Sequence, residues 1–81
     1  MSHDKMSHDK DMVVKLIGER IRKLRTDSQL TLETLAFKAD MDYTQLSRIE
    51  LGKINTSLFQ IYKIALALKI SSTEILNSLD S

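Results

Sequence analysis

Asp42-Tyr43-Thr44-Gln45-Leu46-Ser47-Arg48-Ile49-Glu50-Leu51-Gly52 is the stretch whose reading decides the fold. Asp42 is a good helix N-cap, because its carboxylate can accept backbone N–H bonds that a first turn leaves open. Gly52 stands where helices commonly end in a left-handed residue. Between them only Leu46 and Ile49 are core-like, three apart, so one narrow stripe can be buried. Tyr43, Thr44, Gln45, Ser47 and Arg48 turn hydrogen-bonding groups to the other faces. A short helix held by one stripe and polar elsewhere suits a reader of the DNA major groove. A surface helix with a solvated polar face has the same pattern, so the flanking sequence has to separate the two.

Upstream, Thr31 can cap a second short helix in which Leu32, Leu35, Ala36 and Ala39 follow the i, i+3, i+4, i+7 spacing of one face. Ala36 is small enough for another helix to cross closely. Ala39-Asp40-Met41 then joins this helix to the one at 42–52. Two short helices with so brief a connection form a helix-turn-helix pattern.

Around this pair the chain reads as all-α. Proline is absent, and 81 residues make one domain with a small core. Asp11 is the expected cap of a first helix running to about Asp27, with Val13, Ile17, Ile21 and Leu24 on one face and Leu16 beside it. Arg20, Arg22, Lys23 and Arg25 give that helix the densest positive cluster in the chain. Ser28-Gln29 is the turn. Ser57 and Gln60 make a capping box for a fourth helix with Leu58, Ile61, Ala65 and Leu68 inward, and Lys53 and Asn55 lie in the polar loop before it. Ser71 and Glu74 make a second capping box, for a last helix carrying Ile75, Leu76 and Leu79. The expected fold is a compact five-helix domain over 11–81, with Leu35, Ala36, Leu46, Ile49, Ile61, Ala65 and Leu68 buried together.

Residues 1–10 repeat Met-Ser-His-Asp-Lys and show no periodic apolar face, so they read as a disordered tail. His3, Asp4, His8 and Asp9 do not add up to a metal site there, because nothing preorganises them. No cysteine is present, so disulfides, thiol nucleophiles and zinc clusters are excluded. No apolar run approaches the roughly 18 residues of a membrane span. With no nucleophile–base spacing either, an enzyme is not expected, nor is a cofactor, a metal or a small-molecule ligand. The net charge is only +1, so a nucleic-acid partner requires the cations to gather on one face.

Residues 18 to 76 resemble the Cro/lambda-repressor type of helix-turn-helix domain, the XRE family. The resemblance is carried by Gly18-Glu-Arg-Ile-Arg-Lys-Leu-Arg25, Leu30-Thr-Leu-Glu-Thr-Leu-Ala36, Leu46-Ser-Arg-Ile-Glu-Leu-Gly52, Asn55-Thr-Ser-Leu58, Ile64-Ala-Leu-Ala-Leu68 and Glu74-Ile-Leu76, in order. Its stand-alone size and five helices are also similar to the controller proteins of restriction–modification systems.

The resemblance implies an Arg25–Glu50 ion pair tying the first helix to the recognition helix. It implies base reading by Tyr43, Thr44, Ser47 and Arg48, and contacts to the DNA backbone by Thr31, Gln45, Lys53 and Asn55. The chemistry agrees: Arg48 can fork onto guanine, Thr44 can meet a thymine methyl, and Lys53 is a compact phosphate cation. Tyr43 has three readings open, contacting a base, contacting the backbone or covering the protein surface. The chain departs from the family in having Leu32 for a phosphate-touching Gln, Asp40 for a turn Gly, and Asp42 for a Ser or Thr cap. Asp tolerates a left-handed backbone better than most residues, which keeps the turn accessible.

A sequence-specific regulator of double-stranded DNA, working in a prokaryotic cytoplasm on the nucleoid, is the function these features imply. A helical protein-interaction module, antitoxin-like or adaptor-like on the same fold, is the competing class. One recognition helix reads only a few base pairs, so a homodimer on an inverted repeat is expected. Ile70, Ile75, Leu76 and Leu79 are the expected interface, because they exceed what one short terminal helix needs to dock.

Overall fold

The computed structural model describes residues 3–79 and holds five α-helices and no strand among them. Helix α1 (His3–Asp27) starts well before Asp11, which therefore lies inside it and caps nothing. No glycine or proline interrupts the stretch ahead of Gly18, so the helix continues upstream through the segment expected to be disordered. The side chains of His3, Asp4 and His8 are outside the described residues. The inward stripe keeps Ile17, Ile21 and Leu24 but begins one residue later than expected. Val13 is exposed, and Val14, Ile17, Ile21 and Leu24 form the face that meets the body.

Helices α2 (Leu32–Lys38) and α3 (Tyr43–Glu50) make the central pair. Thr31 caps α2 by accepting from the Thr34 N–H at 3.1 Å, and Asp42 caps α3 by accepting from the Gln45 N–H at 3.2 Å. The segment 39–41 turns through Asp40, whose φ of 53° is left-handed. Its N–H donates to the carbonyl of Phe37 at 3.1 Å, and the N–H of Met41 donates to that of Ala36 at 2.9 Å. Gly52 (φ 72°) closes α3 in the same manner, and Gln29 and Lys69 close α1 and the fourth helix with left-handed backbones.

Helix α4 (Leu58–Leu68) carries the expected capping box: Gln60 N–H donates to Ser57 Oγ at 3.1 Å, and Ser57 N–H to Gln60 Oε1 at 3.5 Å. Its buried stripe is Ile61, Ile64, Ala65 and Leu68. Leu58 was expected inward but is 77% exposed, because the helical phase set by Ile61 and Ile64 turns it outward. Helix α5 (Ser72–Leu76) lacks its predicted capping box. The Glu74 N–H instead bonds the Ser71 carbonyl at 3.1 Å, and the Ser71 hydroxyl engages that of Thr73. A short 3₁₀ turn, Asn77–Leu79, follows.

Ile21, Leu35, Leu46, Ile49, Ile64 and Ile75 are the large side chains sealed from solvent, one or more from each helix. All seven residues predicted to share the core do share it. Removing such a branched side chain to Ala costs about 2–5 kcal/mol, so this small set accounts for much of the stability. Helix α1 crosses the end of α3 closely at Gly18. A Cβ on Gly18 would come within 2.2 Å of the Ile49 carbonyl oxygen, backbone that cannot yield. Gly18 therefore sets how near the two helices lie, and hence where α3 sits.

Candidate nucleic-acid interface

Helix α3 is held from beneath and from one side. Leu46 and Ile49 anchor it in the core, and Glu50 is 7% exposed with its carboxylate turned to α1. Arg25 Nε donates to Glu50 Oε2 at 2.8 Å and Nη2 to Oε1 at 3.0 Å, a bidentate fork. Arg25 Nη1 donates to the carbonyl of Leu30 at 2.9 Å, so the same side chain fastens the α1–α2 turn. The hydrogen bonds that Arg25 donates to Glu50 raise its pKa above the ordinary value against the opposing effect of burial. Arg25 thus stays cationic and occupied. Among the described residues no buried polar side chain lacks a partner.

The other side of α3 is the reverse. Tyr43, Thr44 and Arg48 are exposed and Ser47 is half-buried, and none of their side chains makes a hydrogen bond to another described residue. Their donors and acceptors are unspent on one helix face, which is what contact with base edges requires. Gln45 is half-buried on the flank of that row. Lys53, past the Gly52 turn, is exposed, and its side chain has no partner among the described residues. Asn55 accepts from the Thr56 N–H at 2.8 Å through Oδ1, which leaves its amide N–H groups for the outside.

Thr31 caps α2: its oxygen accepts the Thr34 N–H, and its hydroxyl donates to Thr34 Oγ1 at 2.8 Å. The basic cluster of α1 is not a single face. Arg20 Nε donates to the Glu74 carbonyl at 2.8 Å, Lys23 pairs with Asp27 at 3.3 Å, and Arg25 is bound to Glu50. Two lysines were missed instead. Lys10 and Lys15 of α1 line a hollow of about 270 Å³ with Asp11, Gly52, Lys53 and Asn55. Lys10 falls in the segment whose sequence reads as a tail.

The four residues expected at a dimer interface also part company. Ile75 is wholly buried and belongs to the core, Ile70 and Leu76 pack partly against it, and Leu79 is 36% exposed. A side chain consumed by the monomer core cannot also bind a second copy.

A described domain with a capped, braced α3 whose polar face is unspent defines a helix-turn-helix protein. Residues 21–75 match the helix-turn-helix family profile, and the chain belongs to that family, in its XRE-type branch of DNA-binding regulators rather than enzymes.

Its relatives narrow the class. It is 38% identical over 63 residues to control protein C.BamHI of Bacillus amyloliquefaciens, covering 76% of this chain and 78% of that one. Control protein C.MunI of a Mycoplasma species is 36% identical over 64 residues, covering 78% and 86%. The crystal structure of the restriction–modification controller protein C.AhdI from Aeromonas hydrophila superposes with a TM-score of 0.75 at 40% identity, covering 76% of this chain and 94% of that one.

Proposed function

We propose that this protein is a sequence-specific regulator of transcription that binds double-stranded DNA as a homodimer on an inverted repeat. The observation that carries the reading is the row Tyr43, Thr44, Ser47 and Arg48, whose side chains make no hydrogen bond to a described residue, mounted on a helix braced by Arg25–Glu50. Side chains that must change partners on binding are costly to recruit, and these have none to give up. Arg48 forks onto guanine O6 and N7, and Thr44 offers its methyl to thymine. Lys53 and the amide of Asn55 hold phosphates on either side, fixing register without reading sequence. Gln45 lies at the edge of the row and reaches the backbone. No described helix is long and apolar enough to cross a membrane. Action on nucleoid DNA in the cytoplasm is consistent with that.

The second copy docks on α4. Leu58, Tyr62 and Leu66 recur every four residues on its outer side, with Phe59 beside them, at 77%, 52%, 59% and 65% exposure. Together they present on the order of 500 Å² of apolar surface, at the upper end of what a monomer carries without a purpose. A stable interface needs about 800 Å² from each partner, which the flanking side chains of α4 and the exposed Leu79 can complete. Self-association across a two-fold axis then sets two α3 helices about one DNA turn apart, roughly 34–36 Å.

Selection of bound sites from a random duplex pool tests the function. Enrichment of an inverted repeat, with affinity that falls steeply with salt, is the expected result. Binding without sequence preference, or none at all, leaves the competing protein-interaction role as the better account.

A further inference from the structure

The end of α1 crowds four cations together, and three are committed: Arg20 to the Glu74 carbonyl, Lys23 to Asp27 and Arg25 to Glu50. Arg22 is exposed, and its side chain makes no hydrogen bond or ion pair with a described residue. It lines a groove of about 200 Å³ between α1, the start of α2 and α3, together with Arg25, Leu32, Ser47, Glu50 and Leu51. Within that groove the Arg25 and Glu50 charges cancel at 2.8 Å, so Arg22 is the cation left uncompensated. Leu32 contributes no donor. Ser47, on the opposite wall, belongs to the row that faces DNA, so a strand seated against α3 passes the mouth of this groove.

We infer that Arg22 binds a backbone phosphate of that strand, an inference resting on the DNA-binding reading above. The chemistry fits a phosphate better than a base. A guanidinium is always charged and offers a planar fork to two phosphate oxygens. Arg22 is on α1, to the side of the reading helix, where contacts position the protein rather than read sequence. The net charge of +1 then ceases to be an obstacle, because Arg22, Arg48 and Lys53, whose side chains have no partner among the described residues, flank or lie on α3, while Lys23 and Arg25 are paired internally.

The test is binding of the full chain to its selected operator across a series of salt concentrations. Arg22→Ala is expected to lose roughly tenfold in affinity at low salt and about one unit of the salt slope, equally on the operator and on single-base variants of it. Arg22→Lys should keep most of the slope, since a point charge suffices for a phosphate, and Lys23→Ala should change neither quantity. The unfolding midpoint of Arg22→Ala should match wild type, because no internal bond is removed. An operator scanned with neutral methylphosphonates should show one position where wild type weakens and Arg22→Ala does not. An unchanged slope, or a relaxed preference at one base pair, overturns the inference while leaving the DNA-binding reading intact. A wild type that shows no salt-dependent DNA binding overturns that reading itself.

Discussion

Helices α3 and α4 are both short, both N-capped by a side-chain oxygen, and both fixed by a buried aliphatic stripe, yet their outer faces have opposite chemistry. The face of α3 carries Tyr43, Thr44, Ser47 and Arg48, with hydrogen-bonding groups unspent. The face of α4 carries Leu58, Phe59, Tyr62 and Leu66, with no charge inside the row. Exposed polar groups are stable in water and lose little by exchanging it for the wet edge of a base pair. Exposed apolar groups gain only when covered, at about 25 cal/mol per Å². Under the proposed function the difference teaches that the two surfaces address different partners, a groove of nucleic acid for α3 and a second copy for α4. Between them lies Lys63 of α4, which donates to the Asp40 carbonyl at 2.8 Å and sits 5.3 Å from the centre of the Phe59 ring, linking the turn before α3 to the edge of the apolar row.

The largest expected effect comes from breaking the α3 side at its brace. Arg25→Ala leaves Glu50 charged in a site where its side chain is 5% exposed, and should cost about 3–5 kcal/mol in urea unfolding. Removing both partners with an apolar pair, Arg25→Met with Glu50→Leu, should cost less than that single change, because no lone charge stays buried. A double-mutant cycle with no coupling energy contradicts the brace.

Breaking the α4 side should separate assembly from folding. Tyr62→Glu adds a charge to the middle of the apolar row and should weaken dimerisation by about 2 kcal/mol or more, some thirtyfold, while leaving the unfolding midpoint of the monomer nearly unchanged. Sedimentation at micromolar concentration reads it. Leu79→Glu should act more weakly, since that residue lies at the margin; if it acts more strongly, the interface belongs to the chain end instead of α4.

The smallest effect sharpens the comparison at the turn between α2 and α3. Asp40 holds φ 53° without being glycine, so Asp40→Gly relieves left-handed strain while adding freedom to the unfolded chain. A net gain of about 0.5–1 kcal/mol is expected from thermal unfolding, with DNA affinity unchanged. A loss of stability shows that the Asp40 side chain contributes something the backbone geometry does not reveal.

How much of this was legible in the sequence depends on whether the cause is local. The Thr31, Asp42 and Ser57 caps, the left-handed Asp40 and Gly52, and the helix pair at 31–52 each follow from residues within a few positions of one another. The Arg25–Glu50 pair lies 25 residues apart and was reached only through family resemblance, since no local rule joins those positions. What escaped depends on packing partners. Whether Val13 or Val14 faces inward is set by what α1 crosses, and Leu58 turns out because Ile64 takes the inward position. Ile75 looks like surplus apolar area until the core that absorbs it is known. The α4 face did leave a trace, in that Leu58-Phe59-Gln60-Ile61-Tyr62-Lys63-Ile64-Ala65-Leu66-Ala67-Leu68 is apolar on nearly every side, more than one buried stripe needs.

The central claim is that α3 reads sequence through its unspent face, and Arg48 tests it most directly. Wild type and Arg48→Ala should be titrated against the selected operator and every single-base-pair variant of one half-site. The expected result is a loss of about 1–3 kcal/mol for Arg48→Ala on the operator, with discrimination abolished at one G·C pair and retained elsewhere. A uniform loss across all variants, with the ranking intact, makes Arg48 a backbone contact and contradicts the claim.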